Sequence, residues 1–196
     1  GGMGKTRLSL KFGELNRSGF PGGVWFCDLT ASQSQQDILR TVAQSLGVPL
    51  CEKKPVVQLA HAISGRGRAL IILDNMEQVV KHAADTVGVW AVHAPEARFI
   101  VTSRIQMGLQ SEQIFELEPI DTEEGIELFE ERSRHLNPDY SLSPEDRTLV
   151  GEIVERVDGM SLAIELAAAR TQMLSPKQIL QRLDQRFRLL SSGRQD

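Results

Sequence analysis

The stretch that decides the fold of this chain is Gly1-Gly2-Met3-Gly4-Lys5-Thr6. It supplies most of the phosphate-binding pattern G-x-x-x-x-G-K followed by Ser or Thr, whose first glycine would lie two positions before Gly1. Glycines let backbone N–H groups turn inward around phosphate oxygens, and a following helix adds the positive end of its dipole. In such loops the lysine bridges the β- and γ-phosphates and the hydroxyl binds Mg²⁺. We therefore expect Lys5 and Thr6 to hold a nucleotide and its metal ion.

The residues after this loop alternate between helical and strand patterns. Leu8, Phe12 and Leu15 recur at helical spacing, which favours a phosphate loop over a flexible glycine-rich terminus. Runs rich in branched and aromatic residues predict strands over 24–29, 69–73 and 98–103, with 113–117 as a candidate for a last strand. Helical patterns cover 33–46, 56–63 and 79–92. This alternation predicts an α/β domain with a parallel sheet.

From residue 121 onward the sequence predicts only helices. Their starts are indicated by capping residues, at Asp121, Ser143-Pro144 and Ser175-Pro176. The segment 162–169 is apolar almost all round, so we expect it to form the buried centre of a small bundle. The last helix has an apolar face made of Leu180, Leu183, Phe187 and Leu190. We therefore divide the chain into an α/β nucleotide-binding domain, 1–120, and a helical lid subdomain, 121–196.

Two further strand ends carry chemistry. Asp74 follows the continuous apolar run 69–73, 69 residues after Lys5, which leaves room for a helix, a strand and a helix between them. An aspartate after a strand is common, but beside a phosphate loop it can hold the Mg²⁺ of a nucleotide at the carboxyl edge of the sheet. Arg104 follows the strand over 98–103, so it either reaches the γ-phosphate or closes the strand as a surface arginine.

The composition gives no sign of a membrane, a metal framework or nucleic acid. No apolar run approaches the roughly 20 residues of a membrane helix, and no secretory signal is recognisable. The net charge of −4 does not favour nucleic-acid binding by this segment. Cys27 and Cys51 lack a C-x-x-C partner, and the four histidines show no ligand spacing. We expect a cytoplasmic protein without disulfides or structural zinc.

Several motifs in this order resemble the STAND class of signalling P-loop ATPases, and more closely the NB-ARC-like domain of large bacterial regulators. The matching segments are Gly1-Gly2-Met3-Gly4-Lys5-Thr6-Arg7-Leu8, Leu73-Asp74-Asn75-Met76-Glu77, Val101-Thr102-Ser103-Arg104, Leu117-Glu118-Pro119-Ile120 and Asp158-Gly159-Met160-Ser161-Leu162-Ala163-Ile164-Glu165-Leu166-Ala167-Ala168. Together they span nearly the whole chain and are far more specific than any one motif.

The resemblance implies a P-loop NTPase of the ASCE type, with sheet order 5-1-4-3-2 and a four-helix lid. It implies ATP or ADP and Mg²⁺ as ligands, with residues 1–7 on the phosphates and Met160, Ser161 and Leu162 on the adenine side. Thr6 and Asp74 would hold the metal, and Asp74, Glu77 and Arg104 would serve hydrolysis if it occurs. Winged-helix, repeat sensor and effector domains of the same parent chain are the implied partners, with self-assembly on activation.

Three departures from the family pattern qualify this reading. The first strand and the upstream adenine-binding segment are absent, from which we expect a fragment of a longer chain that starts inside the phosphate loop. Asn75 stands where vigorous P-loop ATPases place an acidic residue, and an amide cannot accept a proton from water, although Glu77 could substitute if the strand end bends. Ser161 replaces the family's proline.

The sequence leaves three functions open. The leading hypothesis is an ATP/ADP-binding signalling switch of a multidomain regulator, with slow or no hydrolysis. One alternative is an active AAA+-like ATPase that acts on DNA or on protein complexes. The other is a non-hydrolysing interaction scaffold in which the nucleotide is structural.

Overall fold

The computed structural model describes residues 2–192, with side chains through residue 185. Its backbone forms two compact units. We call Lys5–Phe115 the sheet unit, and Gly1–Gly4 together with Glu116–Asp196 the helical unit. The two are described separately below.

A three-stranded parallel sheet forms the centre of the sheet unit. Its strands are β1 (Val24–Asp28), β2 (Leu70–Asp74) and β3 (Arg98–Val101), in the order β1-β2-β3. Every residue of β2 is buried, as a strand covered on both faces requires. The register sets Asp28 beside Asp74 and Leu73 beside Val101, so the carboxyl ends of the strands meet at one edge. The three main strand predictions are confirmed, and the order agrees with the 4-3-2 part of the expected sheet.

The prediction of a further strand over 113–117 is wrong. Residues 112–121 have no regular secondary structure. Ile114 and Phe115 would face opposite sides of a strand, and they are 55% and 82% exposed, so neither side is buried as a strand pattern requires.

Helices of the sheet unit follow the predicted order with one exception. They are α1 (Lys5–Leu15), α2 (Gln35–Leu46), α3 (Pro55–Ser64) and α4 (Val89–His93). The continuous helix expected over 79–92 is wrong, because 3₁₀ turns at Met76–Gln78 and Val80–His82 and a π turn at Ala84–Gly88 precede α4. The Thr86 hydroxyl donates to the His82 carbonyl oxygen at 2.7 Å, a local bond that competes with regular helix.

Close packing fixes α1 and α2 on the sheet. The apolar face of α2 is fully used, since Ile38, Leu39, Val42, Ala43 and Leu46 are all buried. α1 approaches the strands at Gly13, where an added Cβ would lie 2.8 Å from Val24 Cγ1 and 3.2 Å from Ile72 Cδ1. This close approach positions the amino end of α1, and with it Lys5 and Thr6.

Within residues 116–192, the helical unit has four α-helices. They are α5 (Thr122–Leu136), α6 (Pro144–Arg156), α7 (Ser161–Ala168) and α8 (Pro176–Ser192). Asp121, Ser143 and Ser175 accept hydrogen bonds from backbone N–H groups of the first turns of α5, α6 and α8, as predicted from their cap patterns. None of the helices within residues 2–192 has the length and apolar character of a membrane span.

The core of the helical unit corrects one prediction. Phe129, Ile153 and Ile164 are fully buried at its centre. α7 buries only one side, however, and Leu162 and Leu166 are 52% and 60% exposed, so the expectation of a helix buried all round is wrong. α7 packs mainly against α5, and its buried residues are Ile164, Ala167 and Ala168. Leu180 and Leu183 pack on this core as predicted, whereas the predicted contacts of Phe187 and Leu190 lie outside the described side chains.

Candidate functional site

The carboxylate of Asp74 is the centre of the candidate site in the sheet unit. Asp74 ends β2 and is only 3% exposed, while Thr6 lies in the first turn of α1. The Thr6 hydroxyl donates to Asp74 Oδ1 at 2.8 Å and to Oδ2 at 2.9 Å. The two residues that the sequence assigned to a metal ion are therefore in direct contact, although 68 positions separate them.

Two more side chains donate to the same carboxylate, and neither contact was predicted from the sequence. The Thr102 hydroxyl, which follows β3, donates to Asp74 Oδ1 at 2.5 Å. The Asn75 side-chain amide donates to Asp74 Oδ2 at 2.9 Å. A signal was available, because polar residues that follow neighbouring parallel strands meet at one edge of a sheet.

The Asn75 amide also connects Asp74 to the end of β1. Asn75 Nδ2 donates to Thr30 Oγ1 at 2.7 Å, and the Thr30 hydroxyl donates to Asp28 Oδ1 at 2.5 Å. The Thr30 hydroxyl, helped by the Thr30 N–H, holds the pKa of the Asp28 carboxyl below its usual value. A chain of hydrogen bonds thus runs along the edge of the sheet from an ionised aspartate to Asp74.

Glu77 and Arg104, both predicted near the phosphates, contact each other. Asn75 adopts a left-handed conformation with φ +63°, and the chain then bends into the 3₁₀ turn Met76–Gln78. This bend brings Glu77 Oε1 to 3.3 Å from Arg104 Nε. The Arg104 side chain is 65% exposed and that of Glu77 19%. The two candidates therefore neutralise each other in this structure.

The glycine-rich segment contributes backbone geometry to the helical unit. Gly2 and Gly4 have φ +86° and +80°, a region that favours glycine. The carbonyl oxygen of Gly2 accepts the Leu162 N–H at 3.1 Å and the Ser161 hydroxyl at 2.9 Å. Ser161 thus supplies a donor that the proline of the resembling family lacks. Met160 precedes α7 as its N-cap residue.

The remaining predicted residues lie along the same segment. Met3 and Gly4 precede α1 and are partly buried, Lys5 begins that helix, and Arg7 lies exposed on it. Gly1 lies outside the described residues.

The side chains of this site suit a magnesium ion whose other ligands are nucleotide phosphates and water. Within the described residues, no group of three or more His, Cys, Asp and Glu side chains could hold a metal ion. A nucleotide-bound Mg²⁺ requires only one or two side-chain oxygens, because phosphate oxygens and water complete its coordination. The Thr6 hydroxyl and the Asp74 carboxylate are hard oxygen ligands of this kind.

Comparison with known proteins defines the class of fold. Residues 1–95 match the family model described as an AAA domain. The structure of Drosophila ORC bound to DNA is similar with a TM-score of 0.63 and 14% identity, over 96% of this chain and 59% of that one. A Walker-type ATPase of Pyrococcus abyssi is similar with a TM-score of 0.55 and 11% identity, over 87% of this chain and 62% of that one. The chain therefore has an α/β fold of the P-loop NTPase type, followed by helices.

Curated relatives cover nearly the whole chain. An uncharacterized protein of Mycobacterium tuberculosis is 34% identical over 98% of this chain and 49% of its own length. A putative HTH-type transcriptional regulator of the same species is 33% identical over 98% of this chain and 22% of its own length. Regulatory protein AfsR of Streptomyces griseus is 26% identical over 87% of this chain and 17% of its own length. The chain thus spans about half the length of the first relative and less than a quarter of the two regulators.

Proposed function

We propose that this chain is the ATP/ADP-binding switch module of a multidomain regulator, with slow or no hydrolysis. Residues 1–120 are its nucleotide-binding domain and residues 121–196 its helical lid subdomain. The observation that carries the proposal is the contact between the Thr6 hydroxyl and Asp74. It joins the end of a glycine-rich loop to a carboxylate at the edge of a parallel sheet, which is where P-loop proteins hold Mg²⁺ and phosphate.

Each predicted site residue has a role in this proposal. Gly1 to Arg7 surround the phosphates, with Lys5 on the β- and γ-phosphates, and Thr6 and Asp74 hold Mg²⁺. Met160, Ser161 and Leu162 serve the adenine side. When bound, Mg²⁺ supplies charge neutralisation for the phosphates. Arg104, which is 65% exposed, exchanges Glu77 for the γ-phosphate and thereby reports whether ATP or ADP is bound.

The regulatory part of the proposal is supported by two relatives that are named as regulators. In both, the segment like this chain is less than a quarter of the protein, so other domains are available as sensors or effectors. We propose winged-helix, repeat sensor and effector domains of the same parent protein as partners, with self-assembly on activation. A cytoplasmic location fits such a regulator.

Slow hydrolysis is supported by the chemistry of Asn75 and Glu77. The Asn75 amide donates hydrogen bonds to Thr30 and Asp74, and an amide is too weak a base to take a proton from water. Glu77 is engaged by Arg104. An active ATPase that acts on DNA or protein complexes remains the alternative, and steady-state turnover well above about one per second would favour it. The other alternative is a scaffold in which the nucleotide is structural. Tightly retained ADP that does not exchange would favour it.

The test is calorimetric titration of ADP and ATP into the full-length protein with Mg²⁺ present. Lys5→Ala should lower the affinity by about 100-fold or more, because charge-assisted bonds to phosphate are among the strongest in proteins. Lys11→Ala is the matched control, since Lys11 is on the same helix but pairs with Glu14 at the surface. Equal affinities of Lys5→Ala and wild-type protein would refute the proposal. Identifying the nucleotide that co-purifies with the wild-type protein tests adenine preference at the same time.

A further inference from the structure

Position 75 carries an amide at the place where many P-loop ATPases carry an acid, and the contacts of that amide indicate a role. Resting on the function proposed above, we propose that Asn75 is a positioning residue whose side-chain amide, held by Thr30 and Asp28, fixes the Asp74 carboxylate for Mg²⁺–nucleotide binding.

The orientation of the Asn75 amide is determined by its neighbours. Nδ2 carries two N–H donors, and it lies 2.7 Å from Thr30 Oγ1 and 2.9 Å from Asp74 Oδ2. With the amide turned over, its oxygen would face the Asp74 carboxylate, and two acceptors would repel each other. The nitrogen must therefore point toward the two oxygens.

Thr30 gives the chain of bonds a direction. Its hydroxyl has a single proton, which goes to Asp28 Oδ1, and the Thr30 N–H donates to the same oxygen at 2.9 Å. The Thr30 oxygen is thus left as an acceptor, and it needs a donor from Asn75. An aspartate at position 75 has the right shape but, when ionised, has no proton for Thr30 or Asp74.

The backbone of Asn75 holds the other side of the same carboxylate. Its N–H donates to Thr102 Oγ1 at 3.1 Å, which directs the Thr102 proton to Asp74 Oδ1. The residue has φ +63°, a conformation that asparagine tolerates better than most side chains. One residue therefore restrains both oxygens of Asp74, one through its side chain and one through Thr102.

A carboxylate that is already oriented loses less freedom when it engages a metal ion, so its affinity for the ion is higher. The effect of Asn75 should therefore appear only in the part of nucleotide binding that depends on Mg²⁺. A residue that merely supports the fold would change ADP affinity equally with and without the metal. This difference separates positioning from general support.

The experiment measures ADP affinity of the full-length protein by calorimetry, once in Mg²⁺ and once in EDTA, and compares the ratio of the two affinities. Asn75→Gly removes the amide but keeps a residue that tolerates positive φ. We expect it to lower the Mg²⁺ enhancement about tenfold, the size expected for one hydrogen bond to a charged group, and to leave affinity in EDTA unchanged.

Thr30→Val and Thr30→Ser form a matched pair away from the metal ligands. Valine removes the hydroxyl and should lower the enhancement about threefold, whereas serine keeps the hydroxyl and should restore it. An unchanged enhancement in Asn75→Gly, or an equal loss in Mg²⁺ and EDTA, would overturn the positioning role while leaving nucleotide binding intact. Absence of ADP binding by the wild-type protein would instead refute the function on which the inference rests.

Discussion

The two units hold their candidate residues by different means. In the sheet unit, three side chains, Thr6, Asn75 and Thr102, converge on the carboxylate of Asp74. In the helical unit, the contacts of the glycine-rich segment and of Gly159 are made largely by backbone groups, such as the Gly2 carbonyl with the Leu162 N–H and the Ile120 N–H with the Gly159 carbonyl. Side-chain hydrogen bonds thus organise the candidate site of the sheet unit, whereas backbone contacts of glycines organise this part of the helical unit.

This comparison predicts which substitutions matter in each unit. In the sheet unit, changes of functional group should alter ligand binding at constant fold. In the helical unit, changes that add a Cβ should alter stability. Hydrogen exchange of the full-length protein, followed by mass spectrometry of peptides, resolves the two units separately.

The largest effect is expected from Asp74→Ala. The substitution removes the acceptor shared by three side chains and the only carboxylate in contact with Thr6 among the residues the structure describes. Because Mg²⁺ binding requires that carboxylate, we expect the enhancement of ADP affinity by Mg²⁺ to fall by about 100-fold or more. Calorimetry in Mg²⁺ and EDTA measures it. Altered hydrogen exchange in peptides from α5 to α8 would break the proposed separation between the units.

Gly159→Ala should be the most destabilising change in the helical unit. Gly159 has φ +60°, and an added Cβ would clash with the Ile120 carbonyl oxygen and lie 3.1 Å from Pro119 Cβ. We expect a loss of about 2–4 kcal/mol, seen as faster exchange in α5 to α8.

Gly47→Ala is the matched control for Gly159→Ala. Gly47 has φ +66°, but an added Cβ would meet nothing within 4 Å. Only the backbone cost of about 1 kcal/mol should therefore remain, and it should appear in peptides of the sheet unit. Equal losses at the two glycines would show that contact with Ile120 is unimportant.

Gly13→Ala tests whether close packing in the sheet unit outweighs helix propensity. Alanine favours a helix by up to about 1 kcal/mol, but its Cβ would lie 2.8 Å from Val24 Cγ1, a branched side chain within a strand. Overpacking costs about 1–3 kcal/mol, so we expect a net loss of about 1 kcal/mol in the sheet unit.

In the helical unit, Gly151→Ala offers the contrast to Gly13→Ala. Its Cβ would meet Ile126 Cδ1 and Thr122 Cγ2 at 3.5 Å, which is ordinary contact distance. Propensity should then prevail, with a gain of about 0.5–1 kcal/mol measured as slower exchange in α6. Destabilisation by Gly151→Ala would contradict this reasoning.

The sequence predicted the parts of the fold that depend on periodicity and caps. The buried run before Asp74 and the capping residues Asp121, Ser143 and Ser175 have unambiguous local signals, and these were confirmed. Periodicity did not predict the break of the helix expected over 79–92, because 3₁₀, π and α turns that follow one another keep a similar apolar spacing.

The sequence indicated which residues to examine for a candidate site, but not the side-chain contacts between them. Motif chemistry pointed to Thr6 and Asp74, and the structure brings these two side chains into contact. From the sequence, Asn75 stands out only as an amide in place of an acid, because its amide contacts Thr30, which is 45 positions away. The sequence likewise indicated a phosphate role for Arg104 without its contact to Glu77, a pairing that arises from the bend after β2. Such contacts depend on tertiary structure and produce no periodic pattern in the sequence.

The smallest effect is expected at Ser161, where side-chain and backbone contacts meet in the helical unit. The Ser161 hydroxyl and the Leu162 N–H share the Gly2 carbonyl oxygen as acceptor. Ser161→Ala removes one of two donors, so the oxygen stays paired and the loss should be at most about 0.5 kcal/mol. Ser161→Thr keeps the hydroxyl, so its stability should be close to that of the wild-type protein. Hydrogen exchange in α7 checks both, and a loss as large as that of Gly159→Ala would show that side chains govern this unit as well.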